Sequence, residues 1–124
     1  MPPDPARSLL VVEDDGDIRD TLVEVLTDAG YTVAAAENGK VALEALRSGA
    51  PLPALVFLDL MMPVMDGITF CDLKRQDPML AGIPVVVMSA DPHAKDKLGD
   101  AVDGYLRKPM TLDAVLTVAA QYCG

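Results

Sequence analysis

The stretch Leu55-Val56-Phe57-Leu58-Asp59-Leu60-Met61-Met62-Pro63-Val64-Met65-Asp66-Gly67 decides the fold of this chain. An apolar run of strand length ends on one carboxylate, and a Met-Pro-x-Met-Asp-Gly turn follows. A charge in that place sits at the carboxyl end of a buried strand, where open α/β sheets put their ligand sites. A second run, Leu9-Leu10-Val11-Val12, ends the same way in Glu13-Asp14-Asp15. Two such strands side by side and parallel bring several carboxylates to one spot, and like charges that close repel unless a cation joins them. The pattern asks for a divalent metal and offers Asp59 as the group that reacts.

Outward from that stretch, short strand-like runs alternate with longer helix-like ones. Ile18, Leu22, Val25, Leu26 and Ala29 recur at helical spacing, and Gly30 supplies a stop. Residues 32–36 read as a second strand, weakened by alanines, and residues 39–47 as a helix after the Asn38-Gly39 turn. Residues 48–53 read as loop. Strands are expected at 54–58, 83–88 and 104–107, with Pro84 at a strand start where a missing N–H is tolerable. Helices are expected at 68–75, 93–101 and 111–122, the last with Thr111 as its N-cap. Five alternations of this kind imply an α/β fold, one parallel sheet covered on both faces.

At 124 residues and 13.1 kDa the chain is one domain of ordinary size. Half of it is apolar (51%) with few aromatics, so Val, Leu, Ile, Ala and Met must build the core. A net charge of −9 argues against nucleic acid as a direct partner, since phosphate backbones are bound by clustered Lys and Arg. Two cysteines, Cys71 and Cys123, make no disulfide framework and point to a reducing compartment. No apolar stretch is long enough to span a bilayer. The N-terminus, rich in proline, has no signal-peptide pattern. The organisation expected is a disordered tail over residues 1–7, a single domain over 8–124, and a cytoplasmic location.

Five segments, in this order and spacing, carry a specific resemblance. They are the two acidic strand ends, Ala36-Glu37-Asn38-Gly39-Lys40-Val41-Ala42-Leu43-Glu44-Ala45-Leu46, Ile83-Pro84-Val85-Val86-Val87-Met88-Ser89-Ala90, and Gly104-Tyr105-Leu106-Arg107-Lys108-Pro109. Together they resemble the receiver domain, the phosphoacceptor module of two-component response regulators. The resemblance runs from about Ser8 to Tyr122. It implies a doubly wound (βα)5 flavodoxin-like domain with strand order 2-1-3-4-5, which sets the first and third strands together at the switch point.

Each site residue then has an expected role beside an ordinary one. A lone Asp after a strand is usually a cap; here the resemblance implies that Asp59 accepts a phosphoryl group as an aspartyl phosphate. Asp14 is expected to ligate Mg²⁺ directly, and Glu13 directly or through water, its side chain being longer than the Asp of many family members. The backbone carbonyl of Met61 is carried over as a further ligand. Asp15 and Asp17 are read as helix-opening carboxylates. Lys108 is expected to neutralise phosphoryl oxygens and to precede a cis bond to Pro109. Ser89 offers a hydroxyl, and Tyr105 matches the family's switching aromatic. Met61 and Asp91 flank the pocket, and His93 reads as a surface residue.

The function implied is a Mg²⁺-dependent switch, charged at Asp59 by a sensor histidine kinase or histidine phosphotransfer protein. It would catalyse only its own phosphorylation and dephosphorylation. The target is expected to be a protein docking on the fourth helix, fifth strand and fifth helix, where Lys95, Lys97 and Arg107 add positive charge. A dehalogenase-type phosphatase needs a second Asp where Met61 stands. A flavin carrier needs an anion cradle where Glu13-Asp14-Asp15 would repel one. The remaining alternative, a degenerate receiver acting as a phosphorylation-independent scaffold, would lack one of the acid pair, Asp59, the hydroxyl residue or the lysine, and none is missing.

Overall fold

A computed structural model of the chain describes residues 7–49, 51–60, 65–99 and 102–123. Ten elements alternate along it: β1 (Ser8–Val12), α1 (Gly16–Asp28), β2 (Thr32–Ala36), α2 (Gly39–Leu46), β3 (Leu55–Asp59), α3 (Gly67–Gln76), β4 (Val85–Ser89), α4 (Ala94–Leu98), β5 (Gly104–Arg107) and α5 (Leu112–Cys123). The strands form one parallel sheet in the order β2-β1-β3-β4-β5. This is the doubly wound, flavodoxin-like α/β architecture that the alternation and the resemblance imply.

Strand side chains alternate between faces, and that alternation builds two cores. Leu10, Val12, Val56, Leu58, Val85 and Val87 pack against α2, α3 and α4 through Leu43, Leu46, Phe70, Cys71 and Leu98. Leu9, Val11, Leu55, Phe57, Val86 and Met88 pack against α1 and α5 through Leu22, Leu26, Val115 and Ala119. Apart from Ser8, Asp59 and Ser89 at their ends, the three central strands are therefore apolar, as strands buried on both faces must be. β2, at an edge, keeps most of its alanines exposed.

Polar side chains start the helices. Asp15 Oδ1 accepts from the N–H groups of Asp17 and Ile18 at 2.9 and 3.2 Å, Asn38 Oδ1 from Val41 at 2.9 Å, and Asp66 Oδ1 from Thr69 at 2.8 Å. Thr111 Oγ1 accepts from Ala114 N–H at 3.1 Å, in the capping role expected of it. Gly30 follows α1 with φ +99°, a left-handed conformation that costs glycine nothing.

Several boundaries differ from the sequence reading. β4 begins at Val85 rather than residue 83, because Ile83 N–H turns back to Leu80 O at 3.1 Å and Pro84 has no N–H to give. β3 starts and ends one residue later than expected and so takes in Asp59. α4 is only five residues long and ends before Gly99, whose φ is +51°; residues 100 and 101, once expected in that helix, lie outside the described residues. Residues 1–6 of the expected tail do too. Arg7, assigned to that tail, is held instead: its guanidinium lies 4.6 Å over the Tyr31 ring. Both cysteines are free and buried. No helix among the described residues is long and apolar enough to cross a membrane.

Candidate functional site

The carboxyl ends of β1, β3, β4 and β5 meet at one edge of the sheet. Val12 pairs with Leu58, so Glu13 and Asp59 follow side by side. Asp59 pairs with Met88 and Ser89 with Arg107, which brings Ser89 and Lys108 to the same level. Lys108 N–H continues this register to Ser89 O at 2.9 Å. Parallel strands alone thus gather residues from four separate segments.

Carboxylate oxygens of Glu13, Asp14 and Asp59 lie within 4.8 Å of one another. Glu13 is fully buried and Asp59 nearly so, while Asp14 is exposed. Lys108 reaches over them, its Nζ 2.8 Å from Glu13 Oε1 and 3.4 Å from Asp59 Oδ1. The Lys108–Pro109 peptide bond is cis.

Electrostatics follow from that crowding. Burial pushes the Asp59 carboxyl up to about 8, helped by hydrogen bonds with Glu13 and Asp14 and by the Glu13 charge, and opposed by Lys108. Burial works to raise Asp14 as well, but its hydrogen bonds with Asp59 and Glu13 outweigh that and hold it below the usual range. Burial would lower Lys108, yet the Glu13 and Asp59 carboxylates raise it. The crowding therefore favours a proton on Asp59 and the charged form of the lysine above it.

Such a site suits a hard divalent cation. Its donors are all oxygens, with no thiol or imidazole among them, and the upward push on the Asp59 carboxyl reflects a repulsion that a cation would relieve. The expected Met61 carbonyl lies outside the described residues.

Ser89, nearly buried at the end of β4, accepts from Asp91 N–H through Oγ at 3.0 Å. Tyr105 is half-buried and its hydroxyl donates to Gly99 O at 3.0 Å, tying β5 to the end of α4. Asp91 lies at the loop start with one oxygen on His93 N–H at 2.8 Å and the other on Lys97 Nζ. Lys97, one of the bases that give this face positive charge, is thus an ion-pair partner of Asp91. His93 is exposed, 3.7 Å from Asp96.

Behind Asp59, Gly67 N–H donates to Leu60 O at 2.9 Å, closing the turn. A Cβ on Gly67 would stand 2.9 Å from Leu60 Cα and 3.1 Å from Asp59 O, so only glycine fits. Sequence reasoning missed Arg19, whose Nη1 donates to Glu13 O at 2.9 Å. One signal was available: it is the single base among Asp15, Asp17 and Asp20 at the opening of α1.

Comparison with known proteins agrees with this geometry. Residues 9–120 match the family model described as the response regulator receiver domain. The alkaline phosphatase synthesis transcriptional regulatory protein SphR of Synechococcus elongatus is 39% identical over 115 residues, covering 85% of this chain and 44% of that protein. The chain thus spans less than half the length of several curated relatives it matches. The chemotaxis protein CheY4 of Vibrio cholerae superposes with a TM-score of 0.84 at 26% identity, over 93% of this chain and 97% of that one. The response regulator TrrA of Thermotoga maritima, in complex with Mg(2+)-BeF, does so at 0.81 and 30% identity, over 94% and 98%. With an acidic cluster, a lysine and a hydroxyl residue gathered at the carboxyl edge of a 2-1-3-4-5 sheet, this chain belongs to the receiver domain family of response regulators.

Proposed function

We propose that this domain is a phosphorylatable switch whose acceptor is Asp59. The observation that carries the reading is the meeting of Asp59 with Glu13, Asp14 and Lys108 at one strand edge. The phosphodonor is a phosphohistidine on a kinase or phosphotransfer protein. An Asp59 carboxylate oxygen, its proton released to solvent, attacks phosphorus as the P–N bond breaks, and the imidazole leaves with the electron pair and takes up a proton from solvent. Glu13, Asp14, Asp59 and the Met61 carbonyl would hold Mg²⁺, which would supply charge neutralisation at the carboxylates and the phosphoryl oxygens. Lys108, already 3.4 Å from Asp59, balances the remaining charge.

A groove of about 530 Å³ opens between α1 and α5 beside Lys108, lined by Ile18, Leu22, Met110, Leu112 and Val115. Its apolar walls fit a helix of the donor protein better than a second reacting centre. After transfer, Ser89 turns from Asp91 N–H to the phosphoryl group, and Tyr105 leaves Gly99 O. The changed α4, β5 and α5 face then meets a protein target. Some relatives are named as transcriptional regulators, so a longer protein would leave nucleic acid to its other part. With its net charge of −9 this domain acts through proteins, in the cytoplasm.

A transfer assay with a small-molecule phosphodonor and Mg²⁺ tests the acceptor. The parent protein is expected to incorporate phosphoryl groups and Asp59→Asn to incorporate none. Full incorporation by Asp59→Asn would move the acceptor elsewhere.

A further inference from the structure

Arg19 is the only base on α1, and acids surround it in sequence. Among the described residues it makes no ion pair, although Asp15, Asp17 and Asp20 are near it along the helix. Its half-buried guanidinium instead donates to the backbone oxygen of Glu13 at 2.9 Å. It lies over Gly16, where a Cβ would stand 3.6 Å from Nη2. A rigid fork of donors suits the task of fixing a carbonyl in direction as well as distance.

The consequence falls on the next residue. Glu13 N–H is held by Ala36 O at 3.1 Å, so β2 sets one side of Glu13 and Arg19 sets the other. The peptide that Arg19 holds is the one joining Glu13 to Asp14, and peptides are planar. Its plane therefore aims the Asp14 side chain. Glu13 has Lys108 as a side-chain anchor and Asp59 has its place in the β3 ladder. Asp14 is exposed, and its side chain bonds to the Glu13 and Asp59 carboxyls on which it converges, with the Lys108 charge nearby. Its backbone carries the rest of the aiming.

We propose that Arg19 is a positioning residue for the cation site, holding the Glu13–Asp14 peptide so that the Asp14 carboxylate converges on Glu13 and Asp59. This rests on the reading of that cluster as a divalent-cation site. It makes a prediction opposite in sign to simple electrostatics. Removing a positive charge beside a cation site strengthens cation binding, whereas losing a support for a ligand weakens it, by 10-fold or more for outer-shell partners.

Calorimetric titration of Mg²⁺ into the parent, Arg19→Gln and Arg19→Lys proteins separates the two. Arg19→Gln is expected to bind Mg²⁺ about 10-fold more weakly, with unchanged far-UV circular dichroism. Arg19→Lys keeps the charge but loses the fork, and is also expected to bind more weakly than the parent. In the metal-free protein, the Asp14 amide order parameter is expected to fall from about 0.85 toward about 0.6 in Arg19→Gln. Equal or tighter Mg²⁺ binding by Arg19→Gln overturns the proposal. Should that variant fail to fold, parent-like affinity in Arg19→Lys does the same. If the parent itself bound no Mg²⁺, the cation reading would fail, and the order parameter alone would decide whether Arg19 holds this peptide.

Discussion

Glu13 is the most exacting residue of the site, a carboxylate with no solvent exposure whose direct ion-pair partner is Lys108. Breaking a buried pair by removing one member leaves the other charge uncompensated, at a cost of about 3–5 kcal/mol. Lys108 keeps about a fifth of its side chain in water, so the lower end applies. Lys108→Met is therefore expected to lose about 3 kcal/mol in urea unfolding of the metal-free protein. Saturating Mg²⁺ is expected to recover much of that loss, because a bound cation stabilises the folded state.

Asp59 adds a dependence on pH. Its folded-state value lies at about 8 against an ordinary 3.8, so folding tightens its hold on a proton. Stability from such a group is full below the ordinary value and is lost as pH rises through the folded one. Asp14 has the opposite sign, but its contribution is complete above 3.8. The metal-free protein is thus expected to lose stability from about pH 5 to about pH 8, and Asp59→Asn to flatten that slope. Urea midpoints measured across this range check it; an unchanged slope in the variant would assign the proton to another group.

At the scale of elements, the strands were legible because each is an apolar run flanked by turn residues, and β1, β3 and β4 needed no periodicity to be read. Asp59 and Glu13 were legible too, since a charge ending such a run has one place to go in a parallel sheet. Boundaries were harder. β4 starts late because Ile83 N–H turns back to Leu80 O, and the first strand residue, Val85, gives its N–H to the Asp103 side chain at 2.8 Å, a contact 18 residues away that no local pattern shows. The ion pair of Lys97 with Asp91 was not legible for a similar reason, since it depends on how the β4–α4 loop folds back. Arg19 was hidden because its partner is a carbonyl, and backbone oxygens carry no sequence signature. Gly67 was read only as shaping the loop after Asp59, and the packing gives it a stronger role. A methyl group there meets backbone at 2.9 Å, so Gly67→Ala must shift the turn behind Asp59. The expected cost is about 1–3 kcal/mol, seen as a lower thermal midpoint, together with weaker Mg²⁺ binding.

Across the whole molecule, the two cores divide the work. The face built on α1 and α5 borders the groove beside Lys108, while the face built on α2, α3 and α4 packs against the Tyr105 side chain. α4 is a single short helix held at its end by Tyr105, so it has little of its own to resist a shift. Amide chemical shifts recorded with and without a beryllofluoride phosphoryl mimic and Mg²⁺ are expected to change at Ser89, at Tyr105 and along α4, and to stay small in β2. Changes confined to the acidic pocket would leave the α4–β5–α5 face without a link to it.

The ion pair between Lys108 and Glu13 joins residues 95 positions apart. On a ribosome, Asp59 emerges well before the lysine, and at roughly 5–20 residues per second the delay lasts several seconds. During that interval β5 is missing from the sheet edge, and the nascent chain presents carboxylates with no ammonium above them. A half-made copy therefore lacks part of the site, and the row of carboxylates gains its ammonium only when the fifth strand closes the sheet edge.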